Sequence, residues 1–119
     1  MFIGTDIIKM DRMQKIIESK DNKTIDKIFT NKEKDICINK RYSFIHFSGK
    51  FAAKEAVKKA VLSSKTISSL SLNKIEIDND ENGMPCVNLL DSSLIYNYIK
   101  VSISHDGNYA IATAFFQLK

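Results

Sequence analysis

The chain has 119 residues, 44% of them hydrophobic, and a formal net charge of +4 at pH 7. That length suits a single domain over residues 1–119 with a core of its own. No apolar run approaches the roughly 20 residues that cross a bilayer, and Met1–Asp6 lacks the basic and apolar regions of a signal peptide, so a cytoplasmic protein with no membrane segment is expected. Cys37 and Cys86 lie far apart and form no CxxC, which gives no support to a zinc site or disulfide framework; both are expected as free, partly buried thiols. Charge is unevenly spread: residues 1–60 carry 14 Lys and Arg against 8 Asp and Glu, and the remainder 4 against 6. A basic first half points to an anionic partner, whether nucleic acid, an acidic protein or a phosphorylated small molecule.

In chain order, Phe2–Ile8 is short, β-branched and apolar, and reads as a strand. Asp6 lies inside it, where a carboxylate needs a cation or a cleft. Met10–Ser19 follows a helical period with Met10, Met13, Ile16 and Ile17 on one face. A second short helix is expected over Thr24–Phe29, and Lys20, Lys23 and Lys27 form a basic stripe if it reaches back far enough. Thr30-Asn31-Lys32-Glu33 matches a capping box opening a helix to about Ile38. Arg41–Leu62 is the longest helical segment, either whole or broken in two by Gly49 and the aromatic run Tyr42, Phe44, His46 and Phe47, and residues 63–69 read as a loop. The period then changes to two: Lys74–Asp78, Asn82-Gly83 and Met84–Leu90 form a hairpin with Pro85 at an edge. A short helix is expected over Ser93–Tyr98, capped by Asp91 or Ser92. Val101–His105 and Tyr109–Leu118 are strands. The result is an α+β fold, N-terminal helices packed on one antiparallel sheet that Phe2–Ile8 joins.

The most unusual charge arrangement is Phe51-Ala52-Ala53-Lys54-Glu55-Ala56-Val57-Lys58-Lys59-Ala60. On a helix, Glu55 shares a side with Lys58 and Lys59. The alanines leave room for a strand or an anionic ligand close to the helix axis. A solvated surface helix has the same composition, since Ala is the best helix former. His46 has no partner visible in sequence and reads as a structural or surface histidine. Alone, His105 reads as a hydrogen-bonded structural histidine; together with Asp6 and Glu55 it suggests more. Two carboxylates from different elements, without Cys, suit a magnesium ion that keeps several waters and also binds a diphosphate. No GxSxG, P-loop or GxGxxG is present.

Gly4-Thr5-Asp6 with Arg12 six positions on, Phe51–Ala56 with Lys59-Ala60, and Val101–His105 with Tyr109-Ala110 together resemble the three motifs of the holo-acyl carrier protein synthases. These are small bacterial 4′-phosphopantetheinyl transferases. The resemblance covers nearly the whole chain, in order and at the right spacing. It implies the 4′-phosphopantetheinyl transferase fold and magnesium-dependent transfer of the 4′-phosphopantetheine arm of coenzyme A to a serine of apo-acyl carrier protein, releasing adenosine 3′,5′-bisphosphate and serving fatty acid biosynthesis. It further implies Asp6 and Glu55 as magnesium ligands and Glu55, Lys59 and His105 as the catalytic group. Coenzyme A contacts are implied at Lys50, Lys54, Lys59, Ser63, Lys65, Thr66, Pro85 and His105. The serine proton is left between Glu55 and water held by the metal. Arg12, Lys15, Lys20, Lys23 and Lys27 become the expected docking groups for the acidic carrier protein, with Met13 as an apolar anchor. A homotrimer with active sites between protomers is implied as well.

Two positions depart from the family pattern. Lys50 stands where Arg is common, and the loop over residues 63–69, glycine-rich in relatives, has no glycine. A nucleic-acid-binding module would explain the basic half, but it calls for stacking aromatics among the lysines, and residues 9–27 contain none. A non-enzymatic adaptor for an acidic protein would leave Asp6, Glu55 and His105 unexplained.

Overall fold

The computed structural model describes residues 1–90 and 93–119. The element order is β1 (Phe2–Lys9), α1 (Met10–Glu18), α2 (Asn22–Ile28), α3 (Asn31–Ile38), α4 (Ser43–Ser63), β2 (Ile75–Asn79), β3 (Pro85–Leu89), β4 (Tyr96–Asp106) and β5 (Tyr109–Leu118). The strands make two antiparallel sheets, β1-β5-β4 and the hairpin β2-β3. The single sheet expected from sequence is therefore corrected to two.

The free edge of β2 is closed by side chains instead of by another strand. Its backbone groups are taken by side chains where a further strand would pair: Glu33 Oε2 accepts from Ile77 N (2.7 Å), Lys54 donates to Ile75 O (2.5 Å) and Lys50 donates to Ile77 O (2.8 Å). Buried backbone groups must find some partner, and here three side chains serve. Asp80 closes the hairpin loop by accepting from Asn82 N and Met84 N (both 2.9 Å), and Gly83 takes φ +80°, a conformation that favours glycine.

α4 runs whole through Gly49. It lies on the inner face of the three-stranded sheet through Ala52, Ala53, Ala56, Val57, Ala60 and Val61, all buried. The facing row of β5, Ala110, Ala112, Ala114 and Phe116, is buried too. Small residues meet small residues, so helix and sheet approach closely. The extreme point is Gly4, where an added Cβ would stand 1.9 Å from the Ala56 carbonyl oxygen and 2.8 Å from Ala60 N. Further along, an added Cβ at Gly49 would sit 3.2 Å from Ile103 Cγ2 on β4. α4 thus crosses from one edge strand, β4, to the other, β1.

The helix expected over Ser93–Tyr98 is overturned. From Tyr96 onward the chain is strand β4, paired with the end of β5 as Tyr96↔Leu118 and Tyr98↔Gln117, with an irregularity between the two pairs. Aromatic side chains favour a half-buried pleated surface, and the Tyr96 ring packs on Phe116 at 5.9 Å. The proposed caps Asp91 and Ser92 lie outside the described residues. The capping box at Thr30 and Glu33 forms as expected. Cys37 is buried and its thiol is pushed up to about 11 by burial, while Cys86 is half-buried and also raised by burial; both are free.

Gly4→Ala drives a methyl into helix backbone. It is expected to destabilise the fold by about 3 kcal/mol or more, the upper range for overpacking, as measured by urea denaturation. A loss below about 1 kcal/mol would mean that α4 can retreat from β1.

Candidate active site

β1 alternates, so Gly4, Asp6 and Ile8 face the helix while Ile3, Thr5 and Ile7 face out. Because α4 touches β1 at Gly4, Asp6 meets the outer turn of α4. Lys59 Nζ donates to Asp6 Oδ1 (3.1 Å) and to Thr5 O (2.9 Å), with side-chain exposures of 55% for Lys59 and 16% for Asp6. The residues of the first and second motifs are thereby brought into contact. An ion pair this exposed stabilises little, which leaves Lys59 able to exchange Asp6 for a ligand anion. Glu55 is half-buried and, among the described residues, forms no hydrogen bond or ion pair.

Lys54 does something other than what sequence suggested. It is fully buried, pairs with Glu33 Oε1 and donates to Ile75 O. Burial pushes its ammonium below the usual lysine range, and the neighbouring Glu33 charge opposes that shift. A coenzyme A contact for Lys54 is therefore corrected: no solvent path reaches the group, and its donors are spent inside the protein.

His105 continues the inward row of β4 after Val101 and Ile103 and opens into a cavity of about 690 Å³. Lys50, Pro85, Lys40 and His46 share that lining with the β2–β3 hairpin residues Ile77, Asp78, Asn79 and Gly83. Lys50 is nearly buried and anchored to Ile77 O and to Asn79 Oδ1 (3.0 Å). Sequence reading missed Lys40 and His46 here; neither sits in a motif, and only the fold brings them beside His105. Asp6, Glu55 and Lys59 do not line this cavity, and among the described residues no three His, Cys, Asp or Glu side chains gather as a metal centre. His105 and Asp6 stand on opposite edge strands of one sheet.

Lys65 and Thr66 line a separate depression with Leu62 and residues 67–69. Lys65 takes φ +61°, the left-handed conformation that usually falls to glycine after a helix. Ser63 turns its hydroxyl back to Ala60 O (2.7 Å), and Thr66 shares a hydrogen bond with the Ser64 hydroxyl (2.7 Å). Of the docking residues, Arg12, Lys15, Lys20, Lys23 and Lys27 are exposed. Lys20 sits at the turn between α1 and α2 with φ +56°, so the three-lysine stripe is not on one helix. Met13 is fully buried, which corrects its role: it anchors α1 to the core and offers nothing to a partner.

A family model described as the 4′-phosphopantetheinyl transferase superfamily matches residues 2–114. The chain belongs to that superfamily. Among transferase relatives, the holo-[acyl-carrier-protein] synthase of Protochlamydia amoebophila is 38% identical over 115 residues, covering 94% of this chain and 93% of the relative. A Bacillus anthracis holo-(acyl-carrier-protein) synthase solved in complex with CoA superposes with a TM-score of 0.80 at 30% identity, covering 99% of this chain and 96% of that one. The Helicobacter pylori synthase in complex with coenzyme A gives a TM-score of 0.81 at 29% identity over 97% of this chain and 99% of that one. The transferase fold expected from sequence is thus the observed one, and no helix among the described residues is long and apolar enough to cross a membrane.

Lys54→Ala leaves Glu33 buried without its cation. A loss of about 3–5 kcal/mol is expected, the cost of breaking one side of a buried pair, as measured by urea denaturation. A variant within about 1 kcal/mol of the parent would mean that water reaches Glu33.

Proposed function

We infer that this transferase is a holo-acyl carrier protein synthase. It moves the 4′-phosphopantetheine arm of coenzyme A to a serine of apo-acyl carrier protein in the cytoplasm, in the service of fatty acid biosynthesis. The observation that carries the reading is full-length likeness to synthases solved with coenzyme A. The serine oxygen attacks the pantetheine-bearing phosphorus, the phosphorus–oxygen bond within the diphosphate breaks, and adenosine 3′,5′-bisphosphate leaves with the electron pair.

Asp6 and Glu55 fit a magnesium ion. They are two hard oxygen donors from different elements; among the described residues Glu55 has no hydrogen-bond or ion-pair partner, and Asp6 is held by an exposed lysine. When bound, magnesium neutralises diphosphate charge and so stabilises the transition state. The chain's own residues do the rest. Lys59 moves from Asp6 to a phosphate oxygen and steadies the departing phosphate. Lys50 and His105, with Pro85 on the opposite wall, receive the phosphates of the nucleotide end in their cavity. Lys65, Thr66 and Ser63 border the adenosine. Glu55 is the carboxylate available to take the serine proton. The exposed cations Arg12, Lys15, Lys20, Lys23 and Lys27 attract the acidic carrier protein.

A homotrimer with active sites between protomers agrees with two features. The outer face of the three-stranded sheet exposes Ile3 (60%), Ile7 (61%), Ile111 and Phe115, an apolar patch of the kind that marks an interface. The cavity and the carboxylate pair also open at opposite sheet edges, so each can be completed by a neighbour.

Incubation of apo-acyl carrier protein with coenzyme A and this chain should add one phosphopantetheine, seen by intact mass spectrometry and abolished by EDTA. Glu55→Gln should slow transfer at least about 100-fold, as loss of a group acting at the transition state does, without abolishing carrier binding. Unchanged transfer in Glu55→Gln would remove that residue from the site. Phe115→Glu should convert trimers to monomers in sedimentation velocity and take transfer with them; a monomeric parent chain would refute the shared-site arrangement.

A further inference from the structure

Two imidazoles and two ammonium groups converge on the 690 Å³ cavity: His46 and Lys50 from α4, Lys40 from the turn after α3, and His105 from β4. The one carboxylate in the lining, Asp78 on β2, is already paired with Lys32 at 2.6 Å. Lys50 is held on Ile77 O and Asn79 Oδ1, and so is fixed as a charge beside the cavity. The cavity therefore carries an unbalanced positive field, and its natural counter-charge is a phosphate.

Of the two members of this set with no task in the reaction described above, Lys40 and His46, the histidine is the one whose charge can change near neutral pH. It is exposed at the rim, one and a bit helical turns before Lys50. Burial first, and then the charges of Lys40, Lys50 and His105, hold its imidazole below the ordinary histidine range. A ring kept neutral by cationic neighbours gains a proton readily once an anion enters among them.

We propose that His46 is a further phosphate contact of this cavity and that phosphate binding there is coupled to proton uptake by its ring. The proposal rests on reading the cavity as the nucleotide end of the coenzyme A site. The 3′-phosphomonoester and the diphosphate present the same chemistry to this contact. The sign follows directly. Below the bound-state midpoint the ring is cationic and donates to phosphate oxygen from a charged group. As pH rises through that midpoint the charge is lost and binding weakens.

The test is the affinity of the folded chain for adenosine 3′,5′-bisphosphate, by isothermal titration at pH 6 and pH 8, in the parent and in His46→Gln. Ligand titration is common to both proteins and cancels in the comparison. The parent should strengthen, from pH 8 to pH 6, about fivefold more than the variant does, the factor of one charge-assisted hydrogen bond at a partly exposed site. The His46 ring resonance in NMR should also titrate at a higher pH in the liganded protein than in the free one. Equal pH dependence in the two proteins, or an unmoved resonance, overturns the contact. Coenzyme A and dephospho-coenzyme A locate the phosphate: an effect retained with the latter assigns the diphosphate, and an effect lost with it assigns the 3′-phosphate. A parent chain that binds neither coenzyme A nor the bisphosphate at either pH overturns the transferase reading itself, whereas binding with unaltered pH dependence overturns only the role of His46.

Discussion

The ion pair between Glu33 and Lys54 has no access to water, and the placement of the β2–β3 hairpin depends on it. Glu33 does three things from one side chain. It closes the capping box by accepting from Thr30 N at 2.9 Å, it accepts from Ile77 N, and it neutralises Lys54. Lys54 in turn donates to Ile75 O. Desolvating two charges costs several kcal/mol each and is offset only where the remaining hydrogen-bonding capacity is filled. Here that filling comes from the backbone of α3 and of β2, so the pair is stable only when helix, helix and hairpin are all in place. Since the hairpin supplies Ile77, Asp78, Asn79, Gly83 and Pro85 to the cavity wall, an ion pair outside the lining shapes the cavity.

α4 then sorts its residues by side. Lys50 and Lys54 point inward to the edge of β2, whereas Glu55 and Lys59 point toward β1 and solvent. Two lysines of one motif, five residues apart, thus have unlike environments: one is locked and the other free to exchange partners. The close contact at Gly4 makes this sorting matter. With a Cβ at that position the helix backbone at Ala56 and Ala60 would have to stand off from β1. The small side chains of Ala56 and Ala60 set the same distance from the helix side.

What was legible in sequence is what depends on neighbours along the chain. The capping box at Thr30 and Glu33, the Asn82-Gly83 hairpin, the first helix and the strands Phe2–Ile8, Val101–His105 and Tyr109–Leu118 all carry local patterns, and all formed. The misreadings share a different cause. Lys54 reads in sequence as a cation for coenzyme A, because its internal partner lies 21 residues away. Met13 sits on an apolar face whose burial is settled by α4. Ser93–Tyr98 has helix-compatible residues, yet Tyr96 and Tyr98 are claimed by pairing with β5 at the far end of the chain. One sheet is expected where two exist, because nothing local says whether β3 will form hydrogen bonds with β4 or only pack beside it. The motif residues Asp6, Glu55, Lys59 and His105 stand out in sequence from their surroundings, but the division of these groups between two sheet edges is not visible there.

That division follows from the order of strands. With β5 in the centre, the chain's first strand and its fourth must occupy opposite edges, and Asp6 and His105 go with them. A helix crossing the sheet can serve both edges only at different points along its length, which is why Lys50 stands near His105 while Glu55 and Lys59 stand near β1. Asp6 and Glu55 are thereby kept apart from Lys50 and His105 in the free chain, while Lys59 stays on the side of Asp6 and pairs with it. A ligand that engages both groups without collapsing them onto each other must carry negative charge at points about 10 Å apart, the width of two inter-strand spacings.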